Sequence, residues 1–344
     1  MKMLHALVDG ARRAGSAWRL LLLLWAVNLV VALPFAVALA HELDASMGRS
    51  LVHREGVETL DMRWYGELEA QVREANGGLA ETFGPQILGA GAFFDNLERW
   101  WRGDHLSPPP LLVGAGLLYA RVWAFLLGGV LERLAWLGGK VVARERAAGF
   151  FAGCGRHFAR FVLLALLSAV FYYAVYALAR SGFGRLEDAT VDVTSERTVL
   201  LWVIAGTALV VLLLSLVRVV FDYAKIAVVA DDRGGALFGA SRGLAAALRF
   251  VAAHPLSTLG LYWLIALAGV LLLGLYAALA PTAGGGSWPA IVLAFLLGQL
   301  AIAGKLALRL VTLGAETAYY APATAPQRAT PTGPPRERRP TIAS

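Results

Sequence analysis

Six apolar runs, at 18–40, 111–130, 161–179, 199–217, 256–280 and 288–304, limit what this chain can fold into more than any other feature. At about 1.5 Å of rise per helical residue, about 20 apolar residues cross a hydrocarbon layer of roughly 30 Å. Five runs have that length unaided. The sixth is shorter, but its helical pattern continues through Lys305 and Arg309, whose long side chains can carry their charged heads toward the interface. Hydrophobic residues make up 58% of the chain and charged ones 16%, a balance shifted from that of a water-soluble domain toward lipid as the solvent. The expected fold is all-α: a polytopic six-helix transmembrane bundle with interfacial amphipathic helices and a small helical extracytoplasmic cap.

The net charge of +7 is informative by its placement. With the amino terminus inside, 21 Lys and Arg fall in inner segments, 9 in outer ones and one, Arg121, in the membrane; 16 of the 24 acidic residues fall outside. This is the positive-inside pattern, and it sets both termini in the cytoplasm and residues 41–110 on the extracytoplasmic side of the membrane. The basic face suits the bilayer and its anionic lipid headgroups, and a nucleic-acid partner is not implied. The single cysteine, Cys154, rules out an internal disulfide and a cysteine-based metal cluster. Basic residues, a leucine-rich run, Pro34 and the triplet Ala38-Leu39-Ala40 resemble a cleavable signal peptide. The run is long for one and reads as an uncleaved anchor.

Along the chain, residues 1–17 read as an interfacial helix with Leu4, Leu7, Val8 and Ala11 on its apolar face. Residues 18–320 form the membrane domain. Its insert at 41–110, with 12 acidic and 6 basic residues, is expected to fold into helices near 63–75 and 86–101, bringing Phe93, Phe94, Trp100 and Trp101 near the headgroups. Residues 321–344, rich in proline and arginine, are expected to form a disordered basic cytoplasmic tail. Two inner loops look alike. In 149–161, Phe151, Cys154 and Phe158 share one helical face; in 237–251, Leu237, Leu244, Leu248 and Val251 form a stripe with Arg242 and Arg249 opposite. The segments RVVFDYAKIAVVA (218–230) and RLVTLGAETAYYA (309–321) match at five of thirteen positions, three of them alanine in an alanine-rich chain. A repeat of that kind would be an out-to-in span, an interfacial helix and a returning span, as in many transporters.

Arg121 is the first candidate site residue, because a permanent cation inside a span costs roughly 2.5–3.5 kcal/mol on insertion scales and calls for a partner or a purpose. Tyr172, Tyr173 and Tyr176 in the next span offer hydroxyls and ring faces to it, and Asn28 and Gln299 are further intramembrane polar groups. The roles open to this set are an interhelical clamp and a small anion or proton site. Arg218 and Asp222, one turn apart, with Lys225 just beyond, read as a structural interfacial pair. Arg242 and Arg249 would face either anionic lipid or a cytoplasmic partner. Motifs for hydrolytic, phosphate-binding or metal chemistry are lacking, and His5, His41, His53, His105, His157 and His254 are scattered. The reading is therefore non-enzymatic, with no cofactor and no metal implied.

In FDYAKIAVVADDRGGALFGASRGLAAALRFVAAHP, the LSTLGLYWL that follows it, and the earlier GFFAGCGRHFARF, the chain resembles a group of uncharacterised six-span bacterial integral membrane proteins. The resemblance implies an inner-membrane location and brings no activity, substrate or site residues. The expected function is a non-catalytic component of transport or envelope organisation. The alternative is a permease subunit of an ABC-type transporter, coupled to a cytoplasmic ATPase through the 237–251 helix.

Overall fold

A computed structural model describes residues 2–49, 110–137, 148–191, 193, 195–231, 234–279 and 288–324. They form eight helices: α1 (Lys2–Ser16), α2 (Trp18–Arg49), α3 (Pro110–Leu137), α4 (Ala148–Thr190), α5 (Glu196–Ala230), α6 (Ala236–Ala253), α7 (Pro255–Leu279) and α8 (Trp288–Thr324). No strand occurs among the described residues. The expected cap helices at 63–75 and 86–101 and the tail from 325 lie outside the described residues.

Seven of these helices are long and apolar enough to cross a membrane, one more than the six runs counted from the sequence. The addition is α6, whose 18 residues reach roughly 27 Å and whose mean hydropathy, 1.3, is the lowest of the seven. The segment at 149–161 is no loop: it is the first part of α4, a single helix of 43 residues. Leucine, valine and aromatic side chains stand exposed along every long helix, among them Val30, Leu166, Leu200, Leu271 and Phe295. A surface of this kind is matched to lipid rather than to water.

Burial gathers at one end of the bundle. The buried residues of α2 and α7 lie near their starts (Leu20 and Leu24; Thr258 to Ile265), as do those of α4 apart from Ala179 (Gly153 to Leu164), those of α3 and α8 lie near their ends (Leu126 to Leu134; Leu306 to Tyr320), and those of α5 mostly between Val219 and Val228. Successive long helices therefore run in alternating directions, and this packed end also holds α1 and α6. The core formed there joins α3, α5 and α8 at the centre, through Val130, Leu131, Val219, Tyr223, Leu310 and Leu313.

The segments that sequence periodicity marks as amphipathic bury only part of the face expected: Cys154 and Val251 are buried, and Leu7 and Leu244 pack against the core. Leu4 and Val8 of α1, Phe151 of α4, and Leu237 and Leu248 of α6 are exposed. Beside larger buried side chains such as His157, Phe161 and Phe250, the buried face carries small residues: Ala6 and Gly10 in α1, Gly153 in α4, and Gly239, Gly243 and Ala247, four apart, in α6. The physical reason is the solvent. Large apolar side chains gain nothing by leaving lipid, whereas small ones let two backbones approach and gain dispersion contact. A Cβ on Gly10 would meet the Ala315 backbone of α8; one on Gly243 would meet Val228 and the Ala224 carbonyl of α5; one on Gly128 of α3 would meet the Gly153 carbonyl of α4. Each central helix thus carries one amphipathic segment on its packed end. The echoed segments 218–230 and 309–321 occupy equivalent places, with Ala224 under α6 and its counterpart Ala315 under α1.

Arginines tie neighbouring units together. Arg13 of α1 donates to the Leu134 carbonyl of α3 at 3.3 Å, and Arg160 of α4 donates to the Gly234 carbonyl in the α5–α6 turn at 2.7 Å. Such contacts satisfy carbonyls that a helix end leaves without an intrahelical donor. Gly234 has φ of 87°, which favours glycine in that turn.

Candidate functional site

The polar centre lies between α5 and α8. On α5, Arg218, Asp222 and Lys225 fall at i, i+4 and i+7, along one stripe of the helix. Asp222 is fully buried. Its Oδ2 accepts from Arg218 Nε at 3.0 Å and from an Arg309 terminal nitrogen at 2.9 Å. Its Oδ1 accepts from Lys225 Nζ at 2.8 Å and from the other Arg309 nitrogen at 3.2 Å. One carboxylate therefore takes four charge-assisted hydrogen bonds, two of them the parallel fork of Arg309. Its acceptor capacity is filled, which a buried ion requires if its lost hydration is to be offset.

The Arg309 expectation is corrected by this geometry. Its head does not extend to the interface; it turns inward across 87 residues of sequence to grip Asp222. The Arg218–Asp222 pair is one edge of a four-residue cluster rather than an isolated interfacial bridge. The echo already aligned Arg218 with Arg309 and Lys225 with Glu316, so a signal for this site existed in the sequence. Residue identity alone could not show that the two copies face one another.

The cluster is unbalanced, with three cations around one carboxylate. Glu316, two turns beyond Arg309 on α8, is buried at 2% exposure, and its Oε2 has no hydrogen-bond partner. It makes no ion pair with Arg309, Lys225 or Arg218. The Tyr223 hydroxyl is likewise buried without a partner. The Tyr223 ring packs on Phe250 of α6 at 5.0 Å and on Tyr320 of α8 at 6.1 Å. Phe250 also meets His254 at 5.0 Å and Tyr319 at 5.8 Å. This aromatic plug joins α5, α6 and α8 on the packed-end side of the ions. Across the cluster from it, the side chain of Arg218 is 42% exposed.

The residues expected to form an intramembrane site with Arg121 are not brought together. Arg121 is exposed and makes no hydrogen bond or ion pair among the described residues. Tyr173 is exposed, and Tyr176 accepts from Arg180 one turn along α4 at 3.3 Å. Gln299 accepts from Trp25 Nε1 at 3.0 Å, tying α8 to α2. Asn28 lines a small cleft between α2 and α3 with Val31, Tyr119 and Trp123. Tyr172 alone reaches the ionic cluster, where its hydroxyl faces Arg218.

At the packed end, Arg242 pairs with Asp231 at 2.7 Å and lies 5.3 Å over the Phe238 ring. Arg249 is exposed and donates to its own helix at Ala245. Glu132 of α3 pairs with His157 at 3.1 Å and Arg156 at 3.3 Å on α4. Cys154 is buried, its thiol 3.7 Å from the Leu126 carbonyl. No group of three His, Cys, Asp or Glu side chains arranged to hold a metal ion occurs among the described residues. Compared with protein-family models, with curated proteins and with solved structures, the chain matches none.

Proposed function

We propose that the chain is a six-span protein of a bacterial inner membrane, with both termini cytoplasmic, serving as a non-catalytic component of transport or envelope organisation that works through partners. In this reading α6 lies in the interface rather than across the bilayer. Its contacts support that: Gly239 approaches Arg160, Gly243 approaches Val228, and Phe250 packs on Tyr223 and Tyr320, all at the packed end. The positive-inside charge balance turns this end toward the cytoplasm.

The observation that carries the partner role is the outward face of α6. Leu237, Phe238, Arg242, Leu248 and Arg249 stand exposed along it, while its other face is locked to α5 by glycine and alanine. A ridge that mixes basic and large apolar side chains on a rigid base suits a protein partner or an anionic membrane surface. The same ridge supports a second reading, a permease subunit that engages a cytoplasmic ATPase through α6. Purification in mild detergent with identification of the proteins that co-purify tests both. A stoichiometric partner lost on Arg242→Glu, with the protein still inserted, is the expected result, and an ATPase as that partner selects the second reading. A chain that co-purifies alone from native membranes overturns the partner role.

A further inference from the structure

The Asp222 cluster carries more cations than one carboxylate can balance. Asp222 supplies a single negative charge, already shared by the bidentate Arg309 and by Lys225. Arg218 contributes only its Nε to that carboxylate, so its terminal nitrogens remain to be satisfied. Glu316, the other carboxyl nearby, forms no bond to it. Arg218 also differs from the others in position. Its side chain is 42% exposed, whereas those of Lys225 and Arg309 are 18% and 20% exposed. The Tyr172 hydroxyl lies beside the guanidinium from α4, and Glu316 of α8 and Tyr262 of α7 lie within electrostatic reach of it without bonding to it. Farther along the same stripe of α5, Leu214 and the exposed Val211 continue as an apolar surface. An exposed guanidinium in a helix of this apolarity requires an anion or water at its open side.

We infer that Arg218 is the head of a phospholipid-binding site, in which the guanidinium and the Tyr172 hydroxyl take the phosphate of an anionic lipid while its acyl chains run along Leu214 and Val211. The fork of donors matches a phosphate, and Asp222 holds the guanidinium in place through Nε, so the site is preorganised. The inference stands apart from the partner role of α6, which uses other residues on another element.

Native mass spectrometry of the detergent-purified full chain tests it, together with thermal unfolding in the presence of added phosphatidylglycerol, phosphatidylcholine or inorganic phosphate. The expected result is phospholipid retained by the wild-type chain and by Arg197→Gln, which removes an exposed cation at the opposite end of the same helix, with a several-fold lower retention in Arg218→Gln. Phosphatidylglycerol should raise the unfolding temperature of the wild type more than phosphatidylcholine does, and the difference should vanish in Arg218→Gln. Arg218→Lys keeps a cation beside Asp222 but loses the fork; it must also lower retention, and it stands in if the glutamine variant does not fold. Equal retention in the Arg218 variants and the wild type, or no retained phospholipid at all, overturns the site. Stabilisation by inorganic phosphate equal to that by phosphatidylglycerol overturns its assignment to lipid.

Discussion

Asp222 shows how a charge can be kept inside a helix bundle. Four hydrogen bonds from three cations fill its two oxygens, and removal of any one cation leaves an oxygen of the buried carboxylate short of a donor. Asp222→Asn removes the only anion bonded to three cations, and a broken buried ion pair typically costs about 3–5 kcal/mol. Thermal unfolding in detergent should show a correspondingly large loss. Glu316→Gln makes the opposite case. This carboxyl is equally buried but bonded to none of the cations, so the amide of the same shape removes a buried charge without breaking a hydrogen bond. The variant is expected to match or exceed the wild type, and a loss comparable to that of Asp222→Asn would contradict the geometry. Arg121→Leu follows the same logic at an exposed position. With no pair to lose among the described residues, leucine should leave stability unchanged or improve insertion, and lowered stability would reveal a counter-charge elsewhere. The residue types at all three positions are plain in the sequence. Which charge is paired is not, because Arg309 and Asp222 meet only when α5 and α8 lie side by side.

The amphipathic helices depend on glycine where backbones come closest. Gly10 and Gly15 sit on one helix, yet a Cβ at Gly10 would strike the Ala315 backbone and a Cβ at Gly15 would meet nothing. Gly10→Ala should therefore destabilise by about 1–3 kcal/mol, the usual cost of overpacking. Gly15→Ala should be neutral or gain up to about 1 kcal/mol from reduced backbone entropy in a helix. A pair of unfolding curves decides it, and equal effects would mean that α1 does not rest on α8 as described. Gly243→Val should likewise push α6 off Val228 and loosen the aromatic plug around Phe250. The helices themselves were legible from apolar periodicity. Their buried faces were not, because a rule learned in water sends leucine inward. In lipid, Leu4, Leu237 and Leu248 can stay outside while Gly10 and Gly243 make the contact.

For the whole molecule, the packed end decides between six and seven spans. If α6 lies in the interface, cysteines placed at Leu237 and Ala252, both exposed and near its two ends, should react with an impermeant maleimide from the same side of the membrane. A cysteine at Ser181, far along α4, should react from the other side. Buried Cys154 is replaced by serine to give a clean background. Labelling of 237 and 252 from opposite sides would make α6 a seventh span and remove its outward ridge as a docking face. The length and position of each apolar run follow from the sequence alone, since hydrophobic thickness is a local property summed along the chain. The pairing of Asp222 with Arg309, the lack of a partner for Arg121 among the described residues and the use of small residues at the closest helix contacts were decided only by the fold. Each depends on which helices become neighbours, and that is set by close backbone approach between segments far apart in sequence.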